Sequence, residues 1–309
     1  RSSLPSMAGF DASIYANMGE MDNKGVDANL EYQTRIGNKV GLRLFGNLTY
    51  SKNKIVFRDE PAMQYAYQKS EGTRYGEFYG YIAEGYFQSE EEIKKSPRQM
   101  RELAPGDIKY KDLNDDGVID ANDQCYLGKS WFPSWSYGMG FNINYHNFDL
   151  ALFFQGVSDV SIMANGGSID TGNGDWGASG VGIVPFTGMG LNPSNVITKA
   201  LDRWTADNPR ADAWYPRMTA NATTNDNNYV NSTHWLKDGS YLRLKQASLG
   251  YTLENKKLMD KGIEYLYFYL SGQNLLTFSK FKLWDPELGS NGAKYPLSRM
   301  VTLGMRVSF

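Results

Sequence analysis

The chain has 309 residues, is 14% aromatic and 21% charged, and carries a formal net charge of −2, so it offers no basic field for nucleic acid. No run of roughly 18 apolar residues occurs, which excludes a membrane-spanning helix but not a membrane barrel, whose strands alternate apolar and polar side chains. A single cysteine, Cys125, excludes an internal disulfide, and two histidines, His146 and His234, leave little for zinc or His-based catalysis.

The opening Arg1-Ser-Ser-Leu-Pro5 lacks a charged segment followed by an apolar core, so an export-competent N-terminal part is expected outside this chain. Period-two alternation then marks strands. In 25–36 the residues Val26, Ala28, Leu30, Tyr32 and Ile36 oppose Asp27, Asn29, Glu31, Gln33 and Arg35. Gly37-Asn38 supplies a short turn, because both residues tolerate positive φ. Residues 40–50 return with Val40, Leu42, Leu44, Leu48 and Tyr50 against Arg43, Asn47 and Thr49. The pattern recurs in 137–146, 148–155, 247–253 and 301–309, while 263–273 is apolar on both faces and has no evident phase.

Short turns at 37–39 and 146–147 alternate with long connections at 54–133 and 159–239. Strands of about 10 residues, aromatic strand ends and short turns opposed to long loops predict an all-β fold, an antiparallel transmembrane β-barrel. Roughly eight to ten spanning strands are expected, with Tyr75–Phe87 a candidate for one of them. Leu150, Leu152, Val301 and Leu303 should face lipid, and Arg43, Gln155 and Arg306 the lumen. A soluble β-sandwich is the alternative, since its strands alternate too.

The sharpest local motif is Asp112-Leu-Asn-Asp-Asp-Gly-Val-Ile-Asp-Ala-Asn-Asp123. Side-chain oxygens fall at Asp112, Asn114, Asp116, Asp120 and Asp123, a backbone carbonyl at Val118, and Gly117 sits where an EF-hand loop turns sharply. The spacing predicts a structural Ca²⁺; an acidic turn held by its own Asx hydrogen bonds is the alternative. In the 159–239 loop, Trp176, Trp204, Trp214 and Trp235 are candidates for contact with substrate, with a partner or with the loop itself.

Several segments together resemble one family. Asn17–Val26, Pro105–Asp120, Ser240–Thr252, Gly272-Gln-Asn-Leu-Leu-Thr277, Asp285-Pro-Glu287 and the terminal Phe309 are similar, in order, to the SusC/RagA-like TonB-dependent transporters of the Bacteroidetes. Asp115 stands where that family commonly has Gly, which removes no ligand position. The resemblance implies a barrel of about 22 strands around an N-terminal plug, of which this chain is the C-terminal part. It implies an outer-membrane location, energy from TonB through the missing N-terminal part, and a SusD-like surface lipoprotein as lid. Glycans or peptides would be the imported substrate. It further implies that Phe309 is read during barrel assembly. Other classes are a passive porin and a calcium-dependent adhesin. An enzyme is not expected, because no Ser-His-Asp or Cys-His set is present.

Overall fold

A computed structural model describes residues 19–37, 39–165, 197–218, 227–290, 292 and 295–309. In chain order the strands are β1 (Gly19–Ile36), β2 (Val40–Arg58), β3 (Glu77–Gly80), β4 (Ala83–Tyr86), β5 (Ile108–Tyr110), β6 (Cys125–Ser130) and β7 (Trp135–Tyr145). They continue as β8 (Phe148–Ser158), β9 (Ser161–Met163), β10 (Leu236–Asp238), β11 (Tyr241–Leu253), β12 (Tyr265–Ser279) and β13 (Met300–Ser308). Two short helices, α1 (Glu90–Lys95) and α2 (Lys256–Met259), complete the regular elements used below.

Among the described residues seven strands form one antiparallel meander in the order β1-β2-β7-β8-β11-β12-β13. That is fewer than the eight to ten expected, and Tyr75–Phe87 explains part of the difference. This segment does not join the sheet: it splits into β3, paired with β6, and β4, paired with β5. Gly76 at φ +78° and Gly85 at φ +126° turn the chain where a spanning strand would run straight. β2 also runs further than read, to Arg58 rather than 53.

Register gives the sheet two unlike faces, because directly paired residues lie on the same side. One row across all seven strands is Thr34, Leu42, Ile143, Leu150, Leu249, Leu270 and Leu303. The neighbouring row on the opposite face is Gln33, Arg43, Asn142, Ala151, Ser248, Ser271 and Thr302. The apolar face ends in aromatics at both borders. Tyr50 packs on Trp135 at 4.4 Å between ring centroids at one border, and Phe148 on Tyr251 at 4.7 Å at the other. The phase that 263–273 withheld is now plain. Leu266, Phe268 and Leu270 share the apolar face, while Tyr267 points the other way and its hydroxyl donates to Asp149 Oδ2 at 3.0 Å.

All the short connections lie at one end of this sheet and all the long ones at the other. The long ones are not two separate loops. The described residues of 59–134 and 159–240 fold together into one cap with its own core of Tyr81, Tyr86, Ile108, Tyr110, Trp204, Tyr215 and Trp235. The excursions are stitched by buried amides: Gln99 Nε2 donates to Asn227 Oδ1 at 2.9 Å, and the Ile108 N–H to Asn228 Oδ1 at 2.8 Å. The β12–β13 connection joins them, with Phe281 against Ile162 and Ala164.

Candidate transport surface

The polar face carries the chemistry that a solute would meet. Its side chains are tied across strands: Arg43 reaches Glu31 at 2.8 Å, Thr49 Oγ1 donates to Asp27 Oδ1 at 3.0 Å, and Ser51 Oγ to Asn23 Oδ1 at 2.9 Å. Glycines open this wall to flat rings. A Cβ at Gly140 would come within 2.5 Å of the Phe45 ring, and one at Gly304 within 2.2 Å of Tyr269. Near the short-turn end the face hollows into a cavity of about 680 Å³ lined in part by Gln33, Arg35, Lys39, Arg43, Asn144 and His146. Arg43 and Gln155 therefore lie where alternation put them, and Arg306 pairs with inward Tyr267. The surface is mixed and hydrogen-bonding rather than of one charge.

At the cap end of this face sits a clamp that sequence reading did not single out. Arg243, on the polar face of β11 and 1% exposed, directs its Nη2 to both Asp285 oxygens at 2.6 and 2.7 Å, and its Nη1 lies 3.1 Å from Glu287 Oε2. Asp285 also caps the short turn of helix that Pro286 begins, accepting from the Glu287 N–H at 3.0 Å. A charge-assisted Arg–carboxylate hydrogen bond is stronger than a neutral one. It pins the β12–β13 connection to the wall. The signal was available: Arg243 and Asp285-Pro-Glu287 lie in two separate segments that carry the family resemblance.

The 112–123 loop takes its expected turn, with Gly117 at φ +83°, but its oxygens face its own backbone. Asp112 accepts from the N–H groups of Asp115 and Gly117 at 2.7 and 2.8 Å, and Asp116 from that of Val118 at 2.9 Å. Asp120 caps Asn122 at 2.7 Å, and fully buried Asp123 accepts from Leu113 and Asp120 at 2.7 and 2.8 Å. Among the described residues no three His, Cys, Asp or Glu side chains converge as a metal cluster. The donors thus stand as Asx turns and not as a preformed cage. Burial, with Asp123 and Asp112 adding negative charge nearby, pushes the Tyr67 hydroxyl up to about 12.

The tryptophans divide. Trp204 is 5% exposed and packs under Gly106, so of its three readings (substrate, partner or the loop itself) the structure places it in the core of the cap. Trp214 is partly buried against Tyr215 and Trp235, with Lys199 and Lys237 over its ring. Trp235 is fully buried. Trp176 lies outside the described residues. Beside Trp235, burial pushes His234 down to about 3, so its imidazole is neutral near pH 7. Phe309 is 84% exposed at the short-turn end of the sheet.

A sheet with one apolar face, one polar face and its long connections gathered at one end has the pattern of a membrane β-barrel wall. The comparisons agree. Over 99% of this chain, a TonB-dependent receptor of Formosa agariphila named P3 is 27% identical, and this chain spans 30% of it. A second, P26 of the same organism, is 28% identical over 99% of this chain and 31% of its own length. The TonB-dependent receptor SusC of Bacteroides thetaiotaomicron is 22% identical over 99% of this chain and 28% of its own. The structure of the RagAB peptide transporter superposes with a TM-score of 0.69 at 22% identity, covering 99% of this chain and 31% of that one. No family model matches. The chain is thus similar to TonB-dependent receptors, SusC among them, and shares its fold with part of the RagAB transporter, and it spans just under a third of each.

Proposed function

We propose that this chain forms part of the wall and the extracellular cap of an outer-membrane active importer of glycans or peptides. The remaining strands and a plug complete the barrel, TonB energises it, and a SusD-like lipoprotein closes over the cap. The observation that carries the reading is the pairing of a lipid-compatible face with a folded cap built from the long connections of the same strands. A calcium-dependent adhesin needs no polar inner wall, and a passive porin differs in needing no energy source. The test is uptake by cells that express the full receptor. Disrupting its gene should abolish growth on one class of oligosaccharide or oligopeptide, and dissipating the proton gradient should stop uptake. Uptake that survives loss of the gradient contradicts the importer reading and favours the porin.

The same reading keeps Ca²⁺ in the 112–123 loop as a proposal. Each Asp oxygen that accepts one N–H retains a second lone pair, and Asp112, Asn114, Asp116, the Val118 carbonyl, Asp120 and Asp123 would have to draw inward to share one ion. Calcium should then raise the melting temperature of the full receptor. An unchanged melting temperature leaves the loop as an Asx-turn knot.

A further inference from the structure

We propose that Tyr75, Trp131 and Phe132 form a stacking platform for a sugar ring at the mouth of the lumen, an inference that rests on the importer reading above. The other described aromatics of the cap are buried or half-buried, yet these three are 55%, 57% and 41% exposed. They touch one another: Tyr75 stacks on Phe132 at 5.9 Å between centroids, and Trp131 tilts against Phe132 at 5.0 Å. They are also held in place. The Trp131 N–H donates to the Gly76 carbonyl at 3.1 Å, and a Cβ at Gly76 would lie 2.0 Å from Trp131 Nε1 and 2.6 Å from Phe132 Cδ2. Rigid exposed rings of this kind lose little entropy when a ligand covers them.

The register says which side of the sheet the platform borders. Odd positions of β2 lie on the polar face, and the Tyr75 N–H is accepted by Asn53 Oδ1 at 2.7 Å. The next row on that face continues from Ser51 to Ser134, whose hydroxyl takes a 2.7 Å bond from Arg74. Residues 74–75 therefore lie at the upper rim of the inner wall, away from the lipid band. Their bordering charges are already used. Arg74 binds Asp159 at 3.1 Å, and Glu77 accepts from the Arg74 N–H at 3.1 Å and from the Gly128 N–H. A neutral aromatic surface with its neighbouring charges satisfied suits a neutral ligand with an apolar C–H face. A sugar ring offers one.

The experiment uses the purified full receptor and a panel of neutral hexasaccharides (malto-, cello-, xylo-, laminari- and fructo-series), with neutral capped hexapeptides alongside, read by calorimetry. One saccharide series should bind. Trp131→Ala should weaken it roughly tenfold or more, while Trp131→Phe keeps most of the affinity. The heat-dependent gel shift of the folded barrel shows that each variant has folded. Equal saccharide affinity in parent and Trp131→Ala overturns the proposal, as does binding confined to the peptides. Loss of a co-purifying lipoprotein with saccharide binding unchanged also overturns it, because the rings then serve a protein partner. Uptake separates this failure from that of the importer itself. Disrupting the whole gene stops uptake if the importer reading holds, whatever Trp131→Ala does.

Discussion

The sheet and the cap use the same apolar side chains in opposite ways. On the sheet, Leu303 is 81% exposed, Leu30 76% and Val301 70%; in the cap, Trp235, Tyr215 and Ile108 have no exposure at all. An aqueous domain buries such groups because each buried aromatic or branched side chain gains about 1.5–3 kcal/mol. The sheet does not, although its hydrogen-bonded register is continuous across seven strands. The difference teaches that the two regions are built for different solvents. The cap carries its own core, whereas the apolar face of the sheet has none, as the proposed lipid-facing barrel wall requires.

The comparison can be broken by mutation. The largest effect belongs to the cap: Trp235→Ala should cost about 3–5 kcal/mol, the range for emptying a filled aromatic site. Its indole N–H also gives up a 2.7 Å bond to the Asn228 carbonyl. Limited proteolysis should then cut within 59–134 and 159–240 while the barrel keeps its heat-dependent gel shift. If the barrel is lost as well, the cap is no separate core. Next comes Leu303→Arg on the lipid face, at about 2–4 kcal/mol if the site lies near the bilayer midplane. Folding titrations in lipid vesicles should show it, and Thr302→Arg one residue away, on the polar face, should cost clearly less.

A pH titration sharpens the contrast further. His234 is held neutral in the folded cap with its pKa down to about 3. The unfolded chain takes up a proton below about 6.5, so cap stability should be complete above that pH and fall as pH drops from 6.5 towards 3. The loss is on the order of 1 kcal/mol by pH 5, discounted for the partial exposure of the residue. His234→Gln should flatten that slope in the cap's proteolysis profile. A slope unchanged by the substitution would assign the acid sensitivity to other groups. The smallest effect on stability is expected from deleting Phe309. It should lower the amount of receptor in the outer membrane sharply while inserted molecules transport normally. Normal surface amounts with a slightly lower melting temperature would make Phe309 one more aromatic of the membrane border.

The sheet was legible in the sequence because a strand's side chains alternate with period two. Val26 to Ile36 and Val301 to Phe309 announce their faces one residue at a time. Even there the Tyr-rich stretch 263–273 stayed without phase, since a phenol can face either solvent and its hydroxyl decides the matter only when a partner such as Asp149 is known. The cap was not legible. Its contacts join residues far apart in sequence, as Gln99 does with Asn227, and its strands are three to six residues long with no period to read. For the same reason the sequence left open whether Trp204 meets a ligand or packs in its own loop, and the aromatic run from Tyr75 read as a strand that Gly76 and Gly85 break. The calcium spacing stood out because it is local.

The central claim is that even and odd positions of these strands meet different solvents. The most direct measurement is nitroxide accessibility, with single labels at successive positions 299 to 306 of the full receptor in bilayers after Cys125→Ser. The account predicts that collisions with oxygen peak at 301, 303 and 305 and collisions with a water-soluble nickel complex at 302, 304 and 306. Accessibility without alternation, or labels at 301 and 303 shielded from both reagents in a closed protein core, would contradict it.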